Sequence, residues 1–242
     1  MTRKVVIYGG SGGIGSATAR ILHARGYDLH LVGRSEDKIT AIAAELKASF
    51  TIGDVNDSSL FPRVAEDARD ALDGLVYAVG TINLRSFQRL TEADFLNDFR
   101  VNAIGAALAI QSALPALKKS KAIASVVLFS SVAALQGFAF HGSIGMAKGA
   151  VNGLTLSLAN ELAPRVRVNA IAPSLTRTQL AKDILSNVQM TASIAELHAL
   201  QRLGTPEDIA AITAFLLSPE ADWITGQIIG VDGGRSTLRT KG

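Results

Sequence analysis

Gly9-Gly10-Ser11-Gly12-Gly13-Ile14-Gly15 places five glycines directly behind the short apolar run Lys4–Tyr8. Two phosphate-turn spacings are satisfied at once. Gly10, Gly12 and Gly15 fit G-x-G-x-x-G, and Gly9, Gly13 and Gly15 fit G-x3-G-x-G. Glycine at such positions permits positive φ and lets the backbone close on a pyrophosphate. The following helix presents its unpaired N–H groups to that pyrophosphate. The end of the second strand then discriminates between dinucleotides, since an acid there accepts from a ribose 2′-hydroxyl and repels a 2′-phosphate. Leu31-Val32-Gly33-Arg34-Ser35 holds no carboxylate before Glu36. Arg34 offers a guanidinium fork and Ser35 a hydroxyl, so NADP(H) is expected in preference to NAD(H).

Those residues need a scaffold, and the chain is long enough to build one. Its 242 residues are 48% hydrophobic and 19% charged, which excludes disordered and fibrous classes. With no cysteine, disulfides, zinc–thiolate sites, iron–sulfur clusters and thiol nucleophiles are excluded too. The net charge of +3 is carried by Arg235, Arg239 and Lys241, because no acid follows Asp232; setting them aside leaves 21 basic against 21 acidic residues. Residues 235–242 read as a solvated basic tail. No basic run with interleaved aromatics suggests nucleic acid. Neither a membrane-spanning stretch nor a signal peptide is expected, so a cytoplasmic protein is.

Strand-like and helix-like segments alternate. Lys4–Tyr8, Asp28–Val32, Phe50–Ile52, Leu75–Val79, Val126–Phe129, Val166–Ile171 and Gln227–Val231 read as strands. The segments Ile14–Arg25, Glu36–Ala48, Ser58–Ala71, Thr91–Leu117, Ser143–Leu162, Thr178–Met190 and Pro206–Leu217 read as helices. This order predicts an α/β fold: one Rossmann-like domain over 1–242, with a doubly wound parallel sheet flanked by helices. Thr176–Arg202 is the least regular stretch and is expected to be a mobile substrate flap.

The ordered motifs resemble those of the short-chain dehydrogenase/reductase family along nearly the whole chain. The turn from Gly9 matches TGxxxGxG, with Tyr8 in place of Thr, and Asp54-Val55 matches the pair that holds the adenine. Tyr77-Ala78-Val79-Gly80 stands where NNAG is expected and keeps only its glycine. Asn102, Ser131 and Lys148 fall at the helix Asn, the catalytic Ser and the Lys of YxxxK. Asn169-Ala170-Ile171-Ala172-Pro173-Ser174 matches N-A-x-x-P-G, and Thr178 matches the threonine used on the nicotinamide amide. Gln201–Pro206 and Ile224–Gly234 complete the pattern. The resemblance implies cofactor contacts from Ser11, Gly12, Ile14, Gly80, Pro173, Thr178 and Lys148.

One departure stands out. Four residues before Lys148, where the family places its tyrosine, this chain has Ile144. In the family that tyrosine exchanges a proton with the substrate oxygen, and isoleucine has none to give. The loss weakens acid–base catalysis and oxyanion stabilisation, each worth about two to four orders of magnitude in rate. Ile144 also continues an apolar stripe with Ala147, Val151, Leu154, Leu158 and Leu162. Of the three tyrosines, the resemblance places none at the substrate. His141 is the better stand-in, because imidazole titrates near neutrality; Ser143 and Lys148 are weaker ones.

Two functions follow. One is an NADP(H)-dependent oxidoreductase on a carbonyl or alcohol substrate, using Ser131, Lys148 and Asn102, with His141 or an ordered water as acid. The other is a non-catalytic NADP(H)-binding homologue, a cofactor sensor or a partner subunit. A homotetramer or homodimer is expected by resemblance, paired through Thr91–Leu117 and Ser143–Leu162. Ala103, Ala106, Ala107, Ala147 and Ala150 would allow either close helix approach or packing on the chain's own sheet.

Overall fold

Apolar runs such as KVVIY and ASVVLF have no polar face to give to water, so their strands must be covered on both sides. A computed structural model describes residues 2–68 and 71–239 and satisfies that requirement. Its sheet contains β1 (Lys4–Tyr8), β2 (Asp28–Gly33), β3 (Ser49–Ile52), β4 (Gly74–Tyr77), β5 (Ala124–Phe129), β6 (Val166–Pro173) and β7 (Ile228–Val231). All pairings are parallel, in the order β3-β2-β1-β4-β5-β6-β7. The chain reverses direction across the sheet between β1 and β4, and a crevice opens where their C-terminal ends diverge.

Alternate strand residues feed two cores. Val6, Tyr8, Leu75, Tyr77, Val126 and Val168 pack on one side, and Val5, Ile7, Val76, Val127 and Ile171 on the other. The helices α1 (Gly13–Ala24), α2 (Glu36–Leu46) and α9 (Pro206–Leu216) cover the second core. The first lies under α3 (Leu60–Ala68), α5 (Gly105–Lys118) and α6 (Gly142–Leu162). The fold class agrees with expectation, and the seven expected strands are found to within two residues at every end.

Three helices depart from expectation. The stretch read as Thr91–Leu117 is helical throughout, but α4 (Glu92–Phe99) joins α5 through a π turn over Arg100–Ile104. Thr91 starts it with a capping box to Asp94. This helical run is apolar enough by composition to pass as a membrane span, yet half of its most apolar window is buried inside the protein. The expected helix Thr178–Met190 is broken into a 3-10 turn at Gln179–Ala181, α7 (Lys182–Leu185) and α8 (Val188–Glu196). Asn187 causes the break: its side chain accepts from the Met190 N–H at 2.9 Å and caps a new helix. Ser58–Ala71 shortens to α3 because Asp57 holds Ser59 in a turn, its carboxylate accepting from both N–H and hydroxyl. Arg69 and Asp70, within that expected helix, lie outside the described residues.

Ala103, Ala106 and Ala147 are buried against the chain's own core. The other two, Ala107 and Ala150, are only half-buried, so the chain's own packing takes up three of the five.

Candidate active site

At the C-terminal end of β1 the chain turns on itself in a way that excludes side chains. Gly9 has φ +78°, and a Cβ on it would lie 2.6 Å from the Ala78 carbonyl oxygen; one on Gly15 would overlap the Gly9 carbonyl. The N–H groups of Gly9 and Gly10 both donate to the Val32 carbonyl, at 2.8 and 3.0 Å, tying the turn to β2. Gly12 caps α1 without a side chain and no acid occupies the first turn. The N–H groups of that turn therefore face outward with no carboxylate to repel an anion. A cradle that a Cβ would fill fits the pyrophosphate of a dinucleotide. Thr178 lies against the same turn, its Cγ2 3.0 Å from where a Cβ on Gly13 would sit.

At the end of β2, Arg34 and Ser35 are exposed, and the Ser35 hydroxyl caps nothing although it precedes α2. The Arg34 Nη1 lies 3.5 Å from Asp54 Oδ2. That pair is exposed, so its attraction is weak and its guanidinium remains open to a stronger anion. Asp54 also accepts from the Asn56 N–H at 2.9 Å, and its neighbour Val55 is buried in the core.

Past the crevice a cleft of about 380 Å³ opens between β4, β5 and the segment after β6. It brings together Ile14, Gly80, Ser131, His141, Ile144, Lys148, Pro173 and Thr178. Lys148 is buried on α6 and its ammonium donates to the Phe129 carbonyl at 2.8 Å. Burial pushes its pKa down to about 8, with the Asp98 charge pulling the other way. Ser131 Oγ accepts from the Ala133 N–H at 3.1 Å, which leaves the hydroxyl proton free to donate. His141 Nδ1 lies 2.7 Å from the Ala139 carbonyl, so Nδ1 carries the proton and Nε2 is uncommitted. Ile144 sits one helical turn before Lys148 with its side chain buried in the cleft wall.

Asn102 does not line the cleft but stands behind Gly80, inside the π turn. A π turn at such a place re-aims side chains that a regular helix would carry past the site. Tyr77 braces it, its buried hydroxyl donating to the Val101 carbonyl at 2.7 Å. Burial raises the Tyr77 and Tyr8 hydroxyls far above the ordinary range, so neither exchanges protons near neutrality.

A residue that sequence reasoning passed over completes the arrangement. Asp98 is fully buried and accepts from Thr81 Oγ1 and Ser143 Oγ, both at 2.6 Å. Thr81 in turn accepts from Asn102 Nδ2 at 2.8 Å, and the same amide donates to the Asp98 carbonyl. Ser143 is thereby committed to Asp98 and withdrawn from the cleft, which removes it as a proton source. The available signal was the spacing alone, an acid four residues before Asn102 on the same helical face.

The flap segment is fastened at both ends. Thr176 bridges to Gly204, and Arg177 N–H donates to the Gly204 carbonyl at 2.9 Å. Between those points Leu180, Ile184, Met190, Ile194 and Leu197 roof the cleft with apolar side chains. Arg235, expected in a solvated tail, instead lines this cleft and stacks on Phe138, its Cζ 5.2 Å from the ring centre.

Comparison with known proteins places this geometry. Residues 9–236 match the family model described as Enoyl-(Acyl carrier protein) reductase. A chloroplastic tropinone reductase homologue of Arabidopsis thaliana is 32% identical over 96% of this chain and 75% of its own. The L-2,3-butanediol dehydrogenase of Corynebacterium glutamicum is 31% identical over 97% of this chain and 98% of its own. Among solved structures, a short-chain type dehydrogenase/reductase from Mycobacterium ulcerans superposes with a TM-score of 0.92 at 30% identity. It covers 98% of this chain and 90% of its own. ElxO with NADP bound superposes at 0.89 and 29% identity, covering 98% and 100%. The glycine turn at the β1–β4 crevice, the Lys148 cleft beside it and these full-length likenesses make the chain a member of the short-chain dehydrogenase/reductase family of oxidoreductases.

Proposed function

We propose that the protein is an NADP(H)-dependent oxidoreductase on a carbonyl or alcohol substrate, with His141 replacing the tyrosine that the family's motif would place at Ile144. The observation that carries this reading is the tethering of His141 Nδ1 to the Ala139 carbonyl, which leaves Nε2 uncommitted in the cleft that also holds Ser131 and Lys148.

The glycine turn with Ser11, Gly12, Gly13 and Ile14 would hold the pyrophosphate, and Arg34 with Ser35 the 2′-phosphate. Asp54 and Val55 would meet the adenine, and Gly80, Pro173, Thr178 and Lys148 the ribose and nicotinamide half. The bound dinucleotide supplies or accepts the hydride. Ser131 donates a hydrogen bond from its free hydroxyl to the substrate oxygen and orients it, keeping its own proton. His141, when protonated, gives its Nε2 proton to that oxygen as it gains charge, and takes one back in the oxidative direction. Lys148 holds positive charge near the reacting oxygen, and Asp98 stabilises that charge from behind.

Ile144 favours a second reading, a nucleotide-binding homologue without turnover that serves as cofactor sensor or partner subunit. Calorimetric titration with NADPH and NADH, followed by a carbonyl panel, separates the two. NADPH at least tenfold tighter than NADH, about 1.4 kcal/mol, supports the role of Arg34. NADPH oxidation that disappears in His141→Ala with cofactor affinity unchanged supports the enzyme. Tight NADPH binding with no oxidation across the panel supports the sensor. Leu96, Ile104, Met146 and Leu156 stay exposed on α4, α6 and the π turn, which supports a homo-oligomer paired there.

A further inference from the structure

The cleft is charged in one sense only. Among the described residues, Arg235 is the one ionisable lining residue apart from Lys148 and His141, and no Asp or Glu lines the cleft. Lys148 lies deep and already donates to a backbone carbonyl. Arg235 lies elsewhere, beyond the end of β7, and makes no ion pair among the described residues. β7 stands four strand positions from β1 across the sheet, roughly 19 Å at the ordinary strand spacing. The backbone that carries Arg235 therefore lies well away from the glycine turn.

Its position is built rather than incidental. Asp232 accepts from the N–H groups of Gly234 and Ser236, at 2.9 Å each, and from the Ser236 hydroxyl. Gly233 and Gly234, with φ of +60° and +84°, turn the chain back towards the cleft. Arg235 N–H closes the turn on the Asp232 carbonyl at 3.1 Å. The guanidinium then lies over the half-buried Phe138, a cation–π contact that leaves its N–H groups for an acceptor.

We propose that Arg235 is a specificity-determining residue that receives the carboxylate of the substrate. The apolar roof of Leu180, Ile184, Met190 and Ile194 would hold an aliphatic body between that carboxylate and the Ser131 end. Resting on the oxidoreductase reading, the substrate class is an aliphatic oxo- or hydroxy-carboxylic acid. A single guanidinium balances a carboxylate monoanion, whereas a phosphate dianion would leave excess charge in an apolar cleft.

The test is binding, so it does not depend on turnover. Hexanoate, hexanamide and hexyl phosphate are titrated calorimetrically into the full chain, with and without saturating NADP+. Hexanoate is expected to bind at least tenfold tighter than hexanamide, by a margin that narrows with added salt. Arg235→Gln should erase the margin and Arg235→Lys should keep part of it, with melting temperatures checked for both. Equal affinities for acid and amide, a margin that survives Arg235→Gln, tighter hexyl phosphate, or no binding of hexanoate would each overturn the proposal. If NADP+ itself fails to bind, the oxidoreductase reading falls while the carboxylate assignment is still decided by the cofactor-free titrations.

Discussion

Asn102 and Lys148 converge on the bare face of Gly80: a Cβ there would lie 2.9 Å from Asn102 Oδ1 and 3.4 Å from Lys148 Nζ. That amide oxygen is buried without a hydrogen-bond partner among the described residues. A buried acceptor left open beside an ammonium is costly unless something else is meant to fill the space. Gly80→Ala tests this directly. The methyl would press on both polar atoms, and overpacking of this kind costs about 1–3 kcal/mol. Thermal unfolding should fall accordingly, and NADPH affinity should fall with it. Unchanged affinity would show that the opening at Gly80 serves no ligand.

Lys148 makes stability depend on alkaline pH. Its folded pKa is about 8, below the unfolded value of about 10.4. Between those values the unfolded chain binds more protons than the native one, so stability rises with pH. Below about pH 8 the native state carries the whole penalty, on the order of 3 kcal/mol. Denaturant titrations at pH 7 and 10.5 should show the wild type gaining on Lys148→Met over that interval. A constant difference would mean that Lys148 is not desolvated.

Asp98 opposes that shift. Asp98→Asn keeps hydrogen-bonding capacity towards Thr81 and Ser143 but removes the charge that supports the ammonium. The stability transition assigned to Lys148 should then move to lower pH. A transition that does not move would restrict Asp98 to a structural role.

His30 governs the acid side. It is buried in β2, with its ring nitrogens 2.9 Å from Ser49 Oγ and Thr51 Oγ1. Burial lowers its pKa to about 4, against an opposing pull from Asp67. The unfolded imidazole titrates near 6.5. Between about pH 6.5 and 4 the unfolded state binds the extra proton, so stability is lost as pH falls, by about 3 kcal/mol in all. His30→Gln should flatten that loss in urea titrations at pH 7 and 4.5. An equally steep loss in the variant would point to other groups.

Ile144→Tyr asks what the cleft lacks. The side chain faces the cleft, so a larger residue has open volume to enter. A phenol one helical turn from Lys148 should increase carbonyl reduction by about two orders of magnitude or more if proton donation limits the rate. No gain, in a variant that still binds NADPH, would mean that His141 already fills the role or that the cleft takes no carbonyl.

The alternation of β-branched runs with amphipathic stretches determined the doubly wound sheet and nearly every strand, because hydrophobic periodicity and glycine punctuation are local properties. The phosphate turn was legible for the same reason: only glycine tolerates the φ of Gly9 and the contact at Gly15. Ser131 and Lys148 could be named from motif order, and His141 from its chemistry and its place three residues before Ile144. That they line one cleft with Ile144 is a matter of how β5, α6 and the segment after β6 meet. The polar chain from Ser143 through Asp98 and Thr81 to Asn102 joins segments up to 62 positions apart, and no local pattern encodes it. Arg235 shows the difference most plainly. In sequence it belongs to a basic end, yet the Asp232 turn carries its guanidinium back onto Phe138 and into the cleft. Sequence spacing specifies which backbone each residue rides on, whereas burial, desolvation and side-chain partners arise only when distant segments are packed together.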